Sequence, residues 1–140
     1  MNLLRPVLLS TLSAGSLALM IACGGSANTQ TTSGSSSQTV AITAADRQEA
    51  DQLFATRCAA CHGPNGEGNG PAAAALNPKP QNYHDQAWQA TTTDEQIEKA
   101  IVYGGAVVGK SPAMAANPDL QSKPGVVAAL REKIRKFGSN

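Results

Sequence analysis

The chain has 140 residues, which is enough for one folded domain and no more. Its 11 Lys and Arg residues are nearly balanced by 10 Asp and Glu residues, and the net charge of +1 excludes a strongly basic nucleic-acid-binding protein. Cysteine and histidine are scarce, with three and two residues, so each of them can be considered in turn.

Residues 1–22 are predicted to be an export signal. Arg5 supplies the positive charge, and the apolar stretch behind it is shorter than the roughly 20 residues that a membrane-spanning helix needs. The sequence Met20-Ile21-Ala22-Cys23 then resembles a bacterial lipobox. This resemblance implies cleavage before Cys23 and lipidation of that residue. The alternative is an ordinary signal peptide followed by a stray cysteine.

Residues 23–45 are predicted to be a lipidated Cys23 and a flexible tether. The segment is rich in Ser, Thr, Gly, Gln and Asn and has no apolar periodicity with which to build a core. A lipid on Cys23 would anchor the exported protein to a membrane, facing the periplasm or extracytoplasmic space. Residues 46–140 are left to form the folded domain.

Three helices are predicted in this domain. The first runs from about Ala44 to Cys58, with Thr43 as its N-cap, and its helical spacing comes from Ala50, Leu53, Phe54 and Arg57. The second begins at Thr93-Asp94-Glu95-Gln96, which is a capping-box pattern, and stops at Gly104-Gly105.

The third helix is predicted from about Pro124 to Phe137, with Ser122 as a possible cap. One apolar stripe follows its helical spacing: Val127, Leu130, Ile134 and Phe137. Between the first two helices, residues 63–92 hold several Gly and Pro turn signals and no clean period. Such a long irregular stretch is unusual in a compact domain and needs a surface to wrap around.

The pentapeptide Cys58-Ala59-Ala60-Cys61-His62 has the C-x-x-C-H spacing that marks covalent attachment of c-type haem. Two thiols at this spacing can reach the two vinyl groups on one edge of a porphyrin, and His62 then follows as an iron ligand. A zinc site would want four ligands, and no second ligand pair exists. A thioredoxin-like redox pair normally lies in a βαβ unit, and the sequence shows no βαβ pattern.

One covalent haem would also solve a stability problem. About 95 residues make a small core, and domains of this size usually need an additional stabilising element. We therefore predict an all-α protein, a small cytochrome c fold with three main helices and loops wrapped around one covalently bound haem.

Met114 is the best candidate for the second axial ligand. After cleavage it is the only methionine, and it lies in a Gly- and Pro-rich loop behind the second helix rather than on a helix face. His84 is the other candidate, but its neighbours are polar and favour a solvated side chain. An open or water-bound sixth position is the remaining alternative.

Residues 46–140 as a whole resemble a class I monohaem cytochrome c of the bacterial type, here in a lipoprotein form. The features that match are the helix leading into the pentapeptide, Gly70-Pro71, the second helix ending in Gly104-Gly105, the Ser-Pro-Ala-Met loop and the last helix. The resemblance implies that the Pro71 carbonyl accepts the proton on His62 Nδ1. It also places Trp88 near a haem propionate and packs Phe54 on the last helix, with Leu130 and Ile134 as partners.

The expected function is one-electron transfer between larger redox proteins rather than catalysis, because filled axial positions leave no site for a substrate. We expect a monomer whose donor and acceptor the sequence does not name. The alternatives are a haem sensor or haem enzyme with an open sixth site, and a haem subunit of a larger membrane redox complex.

Charge is uneven along the domain. Residues 46–98 have a net charge of −5, and residues 99–140 have a net charge of +5. The basic run 131–136 is interpreted as a solvated helix face; the alternative is that it steers an acidic partner or lies against anionic lipid.

Overall fold

The computed structural model describes residues 40–139, and the only regular secondary structure in this range is helical. The predicted all-α fold is confirmed. The predicted export signal, Cys23 and most of the tether lie outside the described residues. No helix among residues 40–139 has the length and apolar character to span a membrane.

The first predicted helix is confirmed, and helical structure continues beyond it. Helix α1 spans Ala44–Leu53, a π-helical turn spans Phe54–Cys58, and the short helix α2 spans Ala59–His62. Thr43 caps α1 as predicted: its hydroxyl accepts a hydrogen bond from the Asp46 amide, and the Asp46 carboxylate accepts one from the Thr43 amide at 2.8 Å. This reciprocal pair satisfies two amides that would otherwise lack partners at the helix start.

The π-helical turn was not predicted. Within it, the Ala59 amide donates to the Phe54 carbonyl, five residues back, instead of to the residue four back. The Thr56 hydroxyl donates to the Gln52 carbonyl at 2.8 Å, so it offers that carbonyl a side-chain partner. The extra residue rotates the following turn about the helix axis, and isolated π turns often mark functional sites. Here the turn ends at Cys58.

Residues 63–92 are more regular than expected. They contain a 3-10 turn, Pro71–Ala75, and the short helix α3, Gln86–Thr91, whose first amides donate to the Asp85 carboxylate. Helix α4 follows at Asp94–Tyr103, with the predicted capping box between Thr93 and Gln96. Two more 3-10 turns, Gly105–Val108 and Pro118–Ser122, flank the methionine loop.

Helix α5 spans Pro124–Phe137, as predicted. The prediction that Ser122 caps it is wrong: Lys123 is the N-cap and makes no side-chain capping bond. Ser122 instead ends the preceding 3-10 turn, and its hydroxyl faces the Asp119 carbonyl at 3.4 Å.

The core is formed where α1 crosses α5 and α4 packs beside them. Ala50 and Leu130 are each 1% exposed at this crossing, and Phe54 is 2% exposed. Leu130 and Ile134 share the buried cluster with Phe54, but the aromatic partner of Phe54 is Phe137, with ring centroids 5.3 Å apart.

The basic run on α5 is paired rather than simply solvated. Its cations reach acids on α1, on α4 and within α5 itself, in the pairs Arg131–Asp94, Arg131–Glu98, Lys133–Asp51, Arg135–Asp94 and Lys136–Glu132. Arg47 on α1 also reaches Glu132. Acids of the first half of the domain therefore pair with bases of the second half across the helix interfaces. This weakens the case for α5 as a free positive surface.

Replacing Glu132 with Gln should lower the free energy of unfolding by about 0.5–1 kcal/mol at neutral pH, because its ion pairs lie near solvent. Lys136 and Arg47 lower the pKa of the Glu132 carboxyl from 4.5 to about 2. The stabilisation is therefore present above pH 4.5 and lost as the pH falls through about 2. Urea unfolding of the haem-loaded protein at a series of pH values measures it.

The control is Glu95→Gln, because Glu95 is exposed and forms no ion pair within residues 40–139. It should change the unfolding free energy less. Equal stability of Glu132→Gln and the wild type at neutral pH would contradict the assignment.

Candidate functional site

Two free thiols lie at the end of the first helical segment. Cys58 ends the π-helical turn and Cys61 lies in α2, and neither forms a disulfide. Both are half-buried, and Cys58 packs against the core. Burial raises the pKa of the Cys58 thiol, so it stays protonated at neutral pH. The structure thus presents two intact thiols on consecutive turns.

His62 is the last residue of α2 and is 8% exposed. Its Nδ1 lies 3.2 Å from the Gln81 carbonyl oxygen. A carbonyl can only accept, so Nδ1 carries the proton. Burial lowers the pKa of the imidazole, and the Gln81 hydrogen bond opposes this shift only in part. The ring is therefore neutral at pH 7, with its lone pair on Nε2.

Nε2 of His62 is free to bind a metal. Among residues 40–139 it has no hydrogen-bond partner. Every buried side-chain nitrogen or oxygen in that range does have a partner, so Nε2 is not buried and is accessible. A neutral imidazole held through Nδ1 on a carbonyl is the usual arrangement of a metal-ligating histidine.

The acceptor differs from the one that the family resemblance implied. Pro71 was expected to supply the carbonyl for His62 Nδ1, and the structure places the Gln81 carbonyl there. The reason lies in how the chain returns past His62. The Tyr83 amide donates to the Gly66 carbonyl at 2.8 Å, and the Tyr83 ring stacks on the imidazole with centroids 4.6 Å apart.

Glycines make this return possible. A Cβ on Gly68 would lie 2.5 Å from the Pro80 carbonyl oxygen, and one on Gly66 would lie 2.8 Å from the Phe137 ring. Gly70 plays a similar part before the 3-10 turn, since its Cβ would lie 2.5 Å from the carbonyls of Ala59 and Ala60. These glycines are therefore more than turn signals: Gly68 and Gly70 leave space for neighbouring backbone carbonyls, and Gly66 leaves space for the Phe137 ring.

Met114 lies in a loop fastened to the end of α4. The Gly105 amide donates to the Met114 carbonyl at 3.0 Å, and the Met114 amide donates to the Ser111 carbonyl at 3.2 Å. Asn117 closes the loop: its amide donates to Val102 and its side chain donates to the Ile101 carbonyl at 2.7 Å. The Met114 side chain is half-buried. The sequence contained no signal that singled out Asn117.

The glycine pair after α4 also positions this loop. Gly104 has a φ of 87°, and a Cβ there would lie 2.8 Å from the Met114 carbonyl oxygen. A Cβ on Gly105 would collide with the Ser111 carbonyl oxygen and approach Met114 Cβ to 3.1 Å. The pair therefore ends the helix, as predicted, and lets the methionine loop pack directly on it.

His84 and Trp88 lie on the segment that follows Tyr83. His84 Nε2 is 2.8 Å from the Asn65 carbonyl oxygen, so this ring is already engaged. Trp88 is half-buried with its ring 5.5 Å from that of Tyr83. No residue in the described range accepts a hydrogen bond from the indole N–H, which leaves it available to an acceptor outside the protein.

These donors fit a haem. The described residues contain no group of three or more His, Cys, Asp or Glu side chains placed to hold a metal ion. A bare zinc ion would need such a group. In a haem the porphyrin nitrogens already bind the iron, so the protein supplies only the thiols for attachment and the axial ligands. Two free thiols, an accessible imidazole Nε2 and a half-buried thioether meet that requirement.

The comparison with protein families agrees with this chemistry. The sequence model of the family described as Cytochrome c matches residues 47–130, a range that includes both thiols, His62 and Met114. A search of curated proteins found no match.

Replacing Cys58 and Cys61 together with Ala should abolish covalent haem attachment, because each thiol forms one thioether bond. Each single variant should keep one bond and shift the absorption of the alkaline pyridine complex. The measurement is mass spectrometry of the purified, denatured protein, which should gain the mass of one haem only when a thiol is present. Ala60→Ser, an exposed position between the thiols, is the control and should load normally. Covalent haem on the double variant would contradict the assignment.

Proposed function

Because the chain belongs to the cytochrome c family and carries covalent c-type haem on Cys58 and Cys61, we propose that it is a membrane-tethered one-electron carrier with His62 and Met114 as axial ligands. Family membership supports haem-based electron transfer and implies redox partner proteins. The finer assignment depends most on one observation: two free thiols directly precede a neutral imidazole whose Nε2 is accessible.

His62 is proposed as the first axial ligand. Its position directly after Cys61 holds it near any group bound by both thiols. The Gln81 carbonyl fixes the proton on Nδ1 and increases the basicity of Nε2. Both effects favour an iron bond through Nε2.

Met114 is proposed as the second. Of the three methionines, Met1 and Met20 fall in the predicted export signal, so Met114 is the only one in the folded domain. A methionine that fills a core usually lies on a packed helix face. This one instead lies half-buried in a loop whose backbone is bonded at both ends to α4 and its glycine pair. His84 is a weaker candidate because the Asn65 carbonyl already engages its Nε2.

This ligand set favours electron transfer over catalysis. When bound, the haem supplies a one-electron ferric–ferrous couple. Met114 would close the second axial position to exogenous ligands, and its thioether would raise the reduction potential relative to a second histidine. Trp88 would donate its free indole N–H to a propionate. The site then exchanges electrons with partner proteins and offers no position for a substrate.

Replacing Met114 with Ala should convert the oxidised protein from low-spin to high-spin and abolish the weak far-red band of a thioether–ferric bond. The physical reason is that alanine offers no sixth ligand. Optical spectra of the oxidised and reduced protein, with and without carbon monoxide, measure the change, and the variant should bind carbon monoxide without denaturation.

The matched control is His84→Ala, which should leave the far-red band in place. A far-red band that survives Met114→Ala, or a high-spin wild type, would contradict His/Met ligation. A low-spin wild type without the far-red band, which becomes high-spin in His84→Ala but not in Met114→Ala, would assign His84. A high-spin wild type would bring forward a sensor or enzyme with an open sixth site.

The membrane tether is proposed from the sequence alone. Cys23 in the lipobox-like sequence would carry the lipid, and the tether predicted for residues 23–45 would link it to the folded domain. We expect wild-type protein from cells fed radioactive fatty acid to be labelled and membrane-bound, and Cys23→Ser to be unlabelled. Ser26→Ala is the nearby control and should label normally. Unlabelled, freely soluble wild-type protein would rule out the anchor.

A further inference from the structure

Residues 79–83, which we term the support segment, contact His62 at two points. The Gln81 carbonyl accepts from Nδ1 at 3.2 Å, and the Tyr83 ring lies nearly parallel to the imidazole, with an angle of 13° and centroids 4.6 Å apart. One contact is in the plane of the imidazole and the other is on its face. Together they restrict both tilting and rotation of the ring.

The support segment is itself held at both ends. Lys79 Nζ donates to the carbonyls of Ala73 and Ala74 at 2.8 and 2.9 Å. At the other end, the Tyr83 amide donates to the Gly66 carbonyl, and the Tyr83 carbonyl accepts from Gln89 Nε2 at 2.8 Å. The segment therefore has a defined position that does not depend on His62.

A second aromatic ring backs Tyr83. Phe137, at the end of α5, lies 6.2 Å from Tyr83 with an angle of 15° between the ring planes. His62, Tyr83 and Phe137 thus form a nearly parallel series of three rings. Phe137 in turn contacts Phe54 at 5.3 Å, so the series ends on the crossing of α1 and α5. Tyr83 is 5% exposed and has little room to move.

The Tyr83 hydroxyl does not account for this position. It forms no hydrogen bond with any residue in the described range. The contacts that Tyr83 does make are those of its ring and its backbone. Within the described residues, the ring of Tyr83 and not its hydroxyl makes the contact with His62.

We propose that Tyr83 is a positioning residue that sets the orientation of the His62 imidazole plane about its bond to iron. The inference rests on the proposed role of His62 as an axial ligand. Rotation about a metal–imidazole bond is otherwise a soft degree of freedom, and outer contacts decide it. In this chain the rigid packing of α1 on α5 is transmitted to the ligand through Phe137 and Tyr83.

The test compares Tyr83→Leu with Tyr83→Phe in the haem-loaded, oxidised protein. Paramagnetic NMR shifts of the haem methyl groups and the EPR g-values report the orientation of the axial ligand plane and do not depend on activity. Tyr83→Phe should keep the wild-type shift pattern, because it keeps the ring. Tyr83→Leu should lose that pattern and show about tenfold faster exchange of the His62 Nδ1 proton, since local opening becomes easier.

Two further variants distinguish a loss of ring positioning from a general loss of stability. Leu130→Ala opens a cavity at the helix crossing but lies outside the three-ring series, and it should keep the wild-type pattern although it unfolds more easily. Phe137→Leu removes the ring behind Tyr83 and should change the pattern in the same direction as Tyr83→Leu. It provides the test if Tyr83→Leu does not fold.

The outcomes separate this inference from the proposed ligation. A wild-type pattern in both Tyr83→Leu and Phe137→Leu, or an equal change in Leu130→Ala, overturns the positioning role while His62 ligation stands. A wild-type protein in which His62 shows no ligand resonances overturns the ligation and, with it, this inference.

Discussion

Helix α1 crosses α5 at close range, and the position of the haem-binding residues follows from that contact. Ala50 presents only a methyl group at the crossing, and Gly125 in the first turn of α5 faces the Asp46 carboxylate, where a Cβ would lie 2.7 Å away. The crossing fixes Phe54 on one helix and Phe137 on the other. Because α1 runs through a π turn into α2, the same contact also fixes where the two cysteines and His62 emerge.

Ion pairs at the surface also hold α5 against α1 and α4. The acids of α1 and α4 face the bases of α5, with Asp94 between Arg131 and Arg135. Burial opposes ionisation of Asp94, but the two arginines outweigh it and hold the pKa of its carboxyl below the usual range. Each pair is partly exposed and weak by itself. Their shared arrangement brings acids of the first half of the domain against bases of the second half.

The support segment and the Met114 loop both use main-chain groups to contact the rest of the site. Gln81 reaches His62 through its carbonyl, and the Met114 loop is bonded to α4 through the amides of Gly105 and Asn117. Such contacts need close approach of main chains, and the glycines around both loops leave the space for it.

Local order in this protein could be predicted from the sequence alone. Thr43 and Thr93 were identified as caps, α5 was assigned its observed bounds, and the spacing of Cys58, Cys61 and His62 indicated haem, because such features involve residues within a few positions of one another. The Gln81 acceptor, the Tyr83 ring on His62 and the ion pairs of α5 with α1 and α4 could not be predicted. Every residue has a backbone carbonyl that can accept a hydrogen bond, and an exposed acid can pair with any base. The sequence alone therefore does not distinguish the actual hydrogen-bond and ion-pair partners from many equivalent ones. Only the tertiary structure, which brings residues 79–83 back past His62 and lays α5 across α1, selects among them.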